Sequence, residues 1–108
     1  NAITEQAFSE YLRCFSNPKT IHASCEDYRA AASIDLEHDA ADERHRLTMP
    51  TLALWGQKSF VGQNYNTLQE WSKYATQLRG QGIPGGHFLA EESPEETLEA
   101  LSNFFQEH

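Results

Sequence analysis

The 108-residue chain has only two cysteines, eight lysines and arginines, and no long hydrophobic run. Cys14 and Cys25 fall in separate predicted helices without metal-type spacing, which favours reduced thiols over a disulfide. A formal net charge of −8 disfavours nucleic acid and anionic membranes as partners, because an acidic surface repels phosphates. With no visible signal peptide, transit segment or transmembrane run, we expect a cytoplasmic location.

The chain starts at Asn1 rather than at a methionine, and only 39% of its residues are apolar. Its length suits one domain, but that apolar fraction is low for a chain that must bury a self-sufficient α/β core. We therefore expect a processed or partial chain that forms one end of something larger.

The first part of the chain is predicted to be helical. Apolar side chains recur at helical spacing over residues 4–15, 19–32 and 34–46. Thr4 and Ser33 are predicted N-caps, and Asn17-Pro18 separates the first two helices. Tyr28 lies on the apolar stripe of the second helix, so we expect it to face the packed side with its hydroxyl in need of a partner.

The second part of the chain alternates strands and helices. A short apolar run predicts a buried strand over residues 51–56, followed by a loop to about 64, a helix over 65–75 and a strand over 76–82. Such a βαβα unit gives parallel strands, whose carboxyl ends carry the functional loops. We predict two segments, a helical one over 1–47 and a βαβα one over 48–108.

His87 is the candidate site residue. Gly85 and Gly86 allow a sharp turn before it, and Ser93-Pro94-Glu95-Glu96 predicts a helix start with a capping box. The helix after it offers an apolar face of Leu98, Leu101, Phe104 and Phe105. A histidine between a strand and a C-terminal amphipathic helix is the arrangement that delivers the catalytic histidine in an α/β-hydrolase, although a lone loop histidine is more often a plain solvated side chain.

Several blocks of the sequence are shared with one enzyme family. These blocks are Asn17-Pro18, Ile21-His22-Ala23, Cys25-Glu26-Asp27-Tyr28-Arg29-Ala30, Leu36-Glu37-His38-Asp39, Leu54-Trp55-Gly56, Gly86-His87-Phe88-Leu89 and Glu91-Glu92. Over essentially its whole length the chain resembles the C-terminal part of fluoroacetate (haloacetate) dehalogenases. The resemblance implies an α/β-hydrolase fold, in which residues 1–47 belong to a helical cap and 48–108 to the end of the core sheet.

The resemblance also implies a two-step hydrolysis of small haloacids that needs no cofactor. An aspartate displaces halide from the substrate, and a histidine then activates the water that cleaves the aspartyl ester. His87 matches that histidine, and Tyr28 matches a tyrosine that helps to hold the departing halide. The sequence contains no Gly-x-Ser/Asp-x-Gly motif, which would carry the nucleophile, and the loop over 57–61 has no carboxylate. We therefore expect this chain to be inactive by itself.

Three other interpretations stay open at this point. One is a fragment of an epoxide hydrolase, and another is a non-catalytic interaction protein, such as a homodimer that pairs exposed strand edges. The third is a metal site, since His38, Asp42 and His45 fall on one predicted helical face. Charged helices produce such faces by chance, so we predict no metal ligands.

Overall fold

The computed structural model describes residues 2–43 and 45–108. The chain divides into two compact units, Asn1–Arg44 and His45–His108. Helices make up the first unit, and the second contains a parallel sheet flanked by helices. No helix within the described ranges is long and apolar enough to cross a membrane.

The first unit consists of α1 (Glu5–Phe15), α2 (Pro18–Ala31) and α3 (Ile34–Asp42). Thr4 caps α1, because its hydroxyl oxygen accepts a hydrogen bond from the Ala7 amide at 3.1 Å. Asn17 caps α2 in the same way, with its side-chain oxygen 2.9 Å from the Lys19 amide nitrogen. The Thr4 cap and the break at Asn17-Pro18 were predicted from residue type and are confirmed.

The predicted third helix was too long and its predicted cap is wrong. The helix ends at Asp42 instead of near residue 46, and Arg44 lies outside the described residues. Ser33 stands at the N-cap position, but its hydroxyl donates to the Arg29 carbonyl oxygen at 2.8 Å. A serine that follows a helix can bond back to that helix instead of capping the next one, which is what occurs here.

The helices of the first unit leave their apolar faces exposed. No described residue of α1, α2 or α3 is buried, and Tyr28 is 80% exposed. The prediction that Tyr28 faces a packed side is therefore wrong for this chain. Three short helices do not present enough surface to enclose one another's apolar stripes.

The sheet of the second unit pairs β1 (Leu47–Gly56) with β2 (Ala75–Ile83) in parallel, as predicted. The regular register runs from Pro50 opposite Gln77 to Gly56 opposite Ile83. β1 begins at Leu47, earlier than the predicted residue 51, because a register irregularity between Leu47 and Pro50 lets a proline enter the strand.

Two short helices connect the strands where one long helix was predicted. They are α4 (Phe60–Asn64), inside the predicted loop, and α5 (Thr67–Trp71). Each begins at its own cap: the Ser59 hydroxyl oxygen accepts from the Gly62 amide at 3.1 Å, and the Asn66 side chain accepts from the Gln69 amide at 3.1 Å. The second cap restarts the helix and so divides the connection.

After β2 the chain forms α6 (Leu89–Glu92) and α7 (Pro94–Glu107). Pro94 opens α7 as predicted, but the capping box is wrong, because the Ser93 hydroxyl donates to the Pro84 carbonyl oxygen. The predicted apolar face is only partly buried: Phe104 is buried with Ala100, while Leu98 and Phe105 are 66% and 68% exposed. A two-stranded sheet covers one narrow side of α7.

Candidate active site

The loops that follow β1 and β2 lie side by side at the carboxyl edge of the sheet. The Gln57 amide donates to the Ile83 carbonyl oxygen at 2.9 Å, and the Lys58 amide donates to the Gly85 carbonyl oxygen at 2.9 Å. These bonds extend the strand pairing into the loops. The expectation that both loops share one edge is confirmed.

Two glycines make this close approach possible. A Cβ atom on Gly56 would lie 2.0 Å from the Gly86 carbonyl oxygen, a distance at which two backbones cannot both stay in place. Gly85 has φ of +143°, a backbone conformation that other residues rarely adopt. The sharp turn before His87 therefore depends on glycine, as predicted.

Ser59 fixes the first loop from inside. It is buried, its hydroxyl donates to the Gly56 carbonyl oxygen at 2.6 Å, and the same oxygen accepts from the Gly62 amide. Sequence reasoning did not identify this residue, although a serine just before a short helix is a recognisable cap signal. Because both bonding directions are occupied, the Ser59 hydroxyl serves the loop and is not a free nucleophile.

The second loop is fixed at both ends. Ser93, which is buried, donates from its hydroxyl to the Pro84 carbonyl oxygen, and Thr97 donates to the Ser93 carbonyl oxygen at 2.7 Å. The start of α7 is thereby tied to the end of β2. His87 lies between these two anchor points.

Glu92 reaches back across the second loop. One of its carboxylate oxygens, Oε1, accepts from the Gly86 amide at 3.1 Å, and the other, Oε2, accepts from the Phe88 amide at 3.1 Å. The two amides flank His87 in the chain. This contact was not predicted.

The His87 imidazole is exposed and lines an open cavity of about 220 Å³. Its ring lies edge-on to Phe88, with ring centroids 4.9 Å apart. Among residues 2–43 and 45–108, no side chain hydrogen-bonds to the imidazole. The other residues of the cavity wall are Leu54, Trp55, Gly56, Ser59, Val61 and Leu89.

This arrangement provides a base without a nucleophile. An accessible imidazole can take a proton from water. None of these wall residues has a carboxylate.

The remaining candidate residues lie elsewhere. Tyr28 is on α2 in the first unit, whereas His87 is in the second. His38 and Asp42 are on α3, and His45 is the first residue of the second unit. Within the part of the chain that the structure describes, no group of three or more His, Cys, Asp or Glu side chains is placed to hold a metal ion.

No family model matches the chain, but individual proteins do. The chain is 29% identical over 102 residues to a fluoroacetate dehalogenase from Burkholderia sp. and 30% identical over 106 residues to a soluble epoxide hydrolase from Corynebacterium sp.. These matches cover 94% and 97% of this chain but only 34% and 35% of the relatives, so the chain spans about a third of their length.

A solved structure from Nostoc sp. PCC 7120, described as an α/β hydrolase, matches with a TM-score of 0.92 and 53% identity. The match covers 96% of this chain and 36% of that one. The resemblance and the fold class predicted from the sequence are both confirmed. This chain has the fold of the C-terminal portion of an α/β-hydrolase, and its sequence is similar to a dehalogenase and an epoxide hydrolase.

Proposed function

We propose that His87 is the general base of a haloacid hydrolase, to which this chain contributes one portion of the site. The observation that carries the proposal is the exposed His87 imidazole on a loop fixed at the carboxyl edge of the sheet. The similarity to a fluoroacetate dehalogenase supports the substrate class.

The proposed reaction has two steps. An aspartate outside this chain forms a C–O bond to the carbon next to the substrate carboxylate, and the halide leaves with the electrons of the C–halogen bond. His87 then takes a proton from water, and the resulting hydroxide attacks the aspartyl carbonyl carbon. The ester C–O bond breaks, and the leaving alkoxide takes the proton from the His87 imidazolium and departs as the hydroxy acid. The restored aspartic acid loses its proton to water.

The test uses a hybrid enzyme, in which this chain replaces the region that it matches in the Burkholderia fluoroacetate dehalogenase. We expect the hybrid enzyme to release fluoride from fluoroacetate, whereas this chain alone releases none. Fluoride is measured with a selective electrode, and circular dichroism and a thermal melt verify that the hybrid enzyme folds. The parent dehalogenase is the positive control. A folded hybrid enzyme that releases no fluoride would contradict the proposal.

We further propose that Tyr28 donates a hydrogen bond to the departing halide, and that residues 1–47 form part of a cap over the substrate. The exposed hydroxyl of Tyr28 on α2 supports this role, because a leaving anion needs oriented donors.

Replacing Tyr28 with phenylalanine should slow fluoride release by the hybrid enzyme roughly 10- to 100-fold, since a hydrogen bond to a charged group contributes about 1.5–3 kcal/mol. Stopped-flow measurement of the first turnover isolates this step. Tyr74→Phe, at another exposed tyrosine, is the matched control and should leave the rate unchanged. Equal rates for Tyr28→Phe and the control would remove Tyr28 from the site.

The second candidate function is epoxide hydrolysis, which the match to the Corynebacterium epoxide hydrolase favours. The covalent chemistry is the same, except that the opening epoxide oxygen takes the place of the halide. Placing this chain in the matching region of that hydrolase and assaying diol formation separates the two. Diol formation by that second hybrid, together with no fluoride release by the dehalogenase hybrid, would favour epoxide hydrolysis as the function.

A non-catalytic role is the third candidate. Within the described residues the sheet has two strands, so each strand has an edge without a neighbouring strand. A stable dimer of this chain in sedimentation experiments, together with an inactive hybrid enzyme, would favour an interaction protein.

The cytoplasmic location also stays a prediction.

A further inference from the structure

We propose that Glu92 is a positioning residue for His87, and this inference rests on the proposed function. Its carboxylate binds the backbone amides of the residues before and after the histidine and so fixes where the imidazole lies in the cavity.

The contact is bidentate. Oε1 of Glu92 accepts from the Gly86 amide and Oε2 accepts from the Phe88 amide, each at 3.1 Å. The Gly86 N–H belongs to the Gly85–Gly86 peptide and the Phe88 N–H to the His87–Phe88 peptide, so one rigid, planar group binds the backbone on both sides of His87. Hydrogen bonds to an ionised carboxylate are stronger than those between neutral groups.

The loop sequence leaves room for this carboxylate. A Cβ atom on Gly86 would lie 2.9 Å from Oε2 of Glu92 and 3.0 Å from Oε1, closer than such contacts normally come. The absence of a side chain at Gly86 therefore allows the carboxylate to sit against the loop backbone. Gly86 and Glu92 act as a pair, and a change in either one should disturb the same contact.

The position of the imidazole matters in one step of the proposed reaction. Halide displacement uses an aspartate and does not involve His87, whereas ester hydrolysis needs the imidazole within hydrogen-bond reach of the attacking water. A displacement of about 1 Å can cost roughly 100-fold in rate. Loss of the Glu92 contact should therefore slow ester hydrolysis selectively.

The experiment measures both steps in the hybrid enzyme carrying Glu92→Gln. A glutamine has one acceptor oxygen, and its NH₂ group would face the other backbone amide. In a single turnover of fluoroacetate we expect an unchanged burst of fluoride and ester decay slowed roughly 10- to 100-fold. Intact mass spectrometry follows the ester, and Glu95→Gln, which removes the same charge from an exposed position in the first turn of α7, is the matched control.

A second variant separates positioning from loss of folding. Gly86→Ala should displace the carboxylate and slow ester decay to a similar extent, and the double variant should be no slower than either single one. Ester decay at the wild-type rate in both single variants would overturn the proposal. So would an equal decrease of the burst and the decay, because a loosened fold lowers the fraction of active enzyme without favouring the ester.

The His87→Asn variant distinguishes an error about Glu92 from an error about the proposed function. If the hybrid enzyme with His87→Asn accumulates the ester but Glu92→Gln does not delay its hydrolysis, the role of Glu92 alone is wrong. If His87→Asn accumulates no ester, the proposed function is wrong and the role of Glu92 is wrong with it.

Discussion

Replacing His87 with asparagine is expected to lower glycolate formation by the hybrid enzyme roughly 10²- to 10⁴-fold, the usual contribution of a general base. Asparagine keeps a polar side chain of similar reach but cannot take the proton from water. The first turnover should still release fluoride, because displacement of the halide does not require the imidazole. Glycolate is quantified by chromatography under steady-state conditions.

The matched control is His22→Asn, at an exposed histidine on α2. It removes one imidazole from the first unit and should leave turnover unchanged. Retention of more than a tenth of the activity by the His87 variant would show that another group acts as the base.

Replacing Gly56 with alanine is expected to lower the free energy of unfolding by about 3 kcal/mol, at the upper end of the usual cost of overpacking. The added Cβ atom would lie 2.0 Å from the Gly86 carbonyl oxygen. The carbonyl oxygen is part of the backbone, and the Cβ atom is bonded directly to it. Hydrogen bonds hold both loops in place, so neither atom can move away unless the two loops separate. Urea unfolding of the hybrid enzyme measures the change.

Gly82→Ala is the control for this substitution. Its Cβ atom would meet Cγ of Gln57 at 2.9 Å and Nε1 of Trp55 at 3.1 Å, but both contacts are with side chains and not with backbone. We expect a loss of about 1 kcal/mol or less. Similar losses at Gly56 and Gly82 would contradict the claim that the loops touch backbone to backbone.

Features set by neighbouring residues were predicted well from the sequence. Thr4 caps α1 as predicted, because a cap needs only an acceptor side chain a few residues before the amides that it binds. The parallel pairing of β1 and β2 also followed from local order, since a helical crossover between strands leaves little choice of direction.

Features that depend on distant partners were predicted poorly. The spacing of apolar residues predicted which side chains share one face of a helix. Tyr28, Leu98 and Phe105 are nevertheless exposed, because the spacing does not reveal whether another element covers that face. Ser33 and Ser93 were expected to cap helices. The Ser93 hydroxyl bonds instead to the Pro84 carbonyl oxygen, a partner that only the folded chain brings near. The Ser33 hydroxyl bonds to the Arg29 carbonyl oxygen four residues back, because two local partners compete for it.

The candidate site shows the same division. His87 was found from chain order and from the glycines before it, which are local signals. Glu92 was missed because its contacts to the Gly86 and Phe88 amides arise only when α6 brings the carboxylate back over the loop. Ser59 was missed although its cap of α4 is a local signal. The sequence shows Glu91-Glu92 after the histidine, but the binding of Glu92 to the loop backbone was not predicted from it.

The central claim is that His87 hydrolyses a covalent ester formed on an aspartate. The most direct test is the intact mass of the His87→Asn hybrid enzyme after incubation with fluoroacetate. We predict a mass increase of one carboxymethyl group, with one fluoride released per enzyme molecule and the adduct located on an aspartate outside this chain. An unmodified mass in a folded variant, whether or not fluoride is released, would contradict the account.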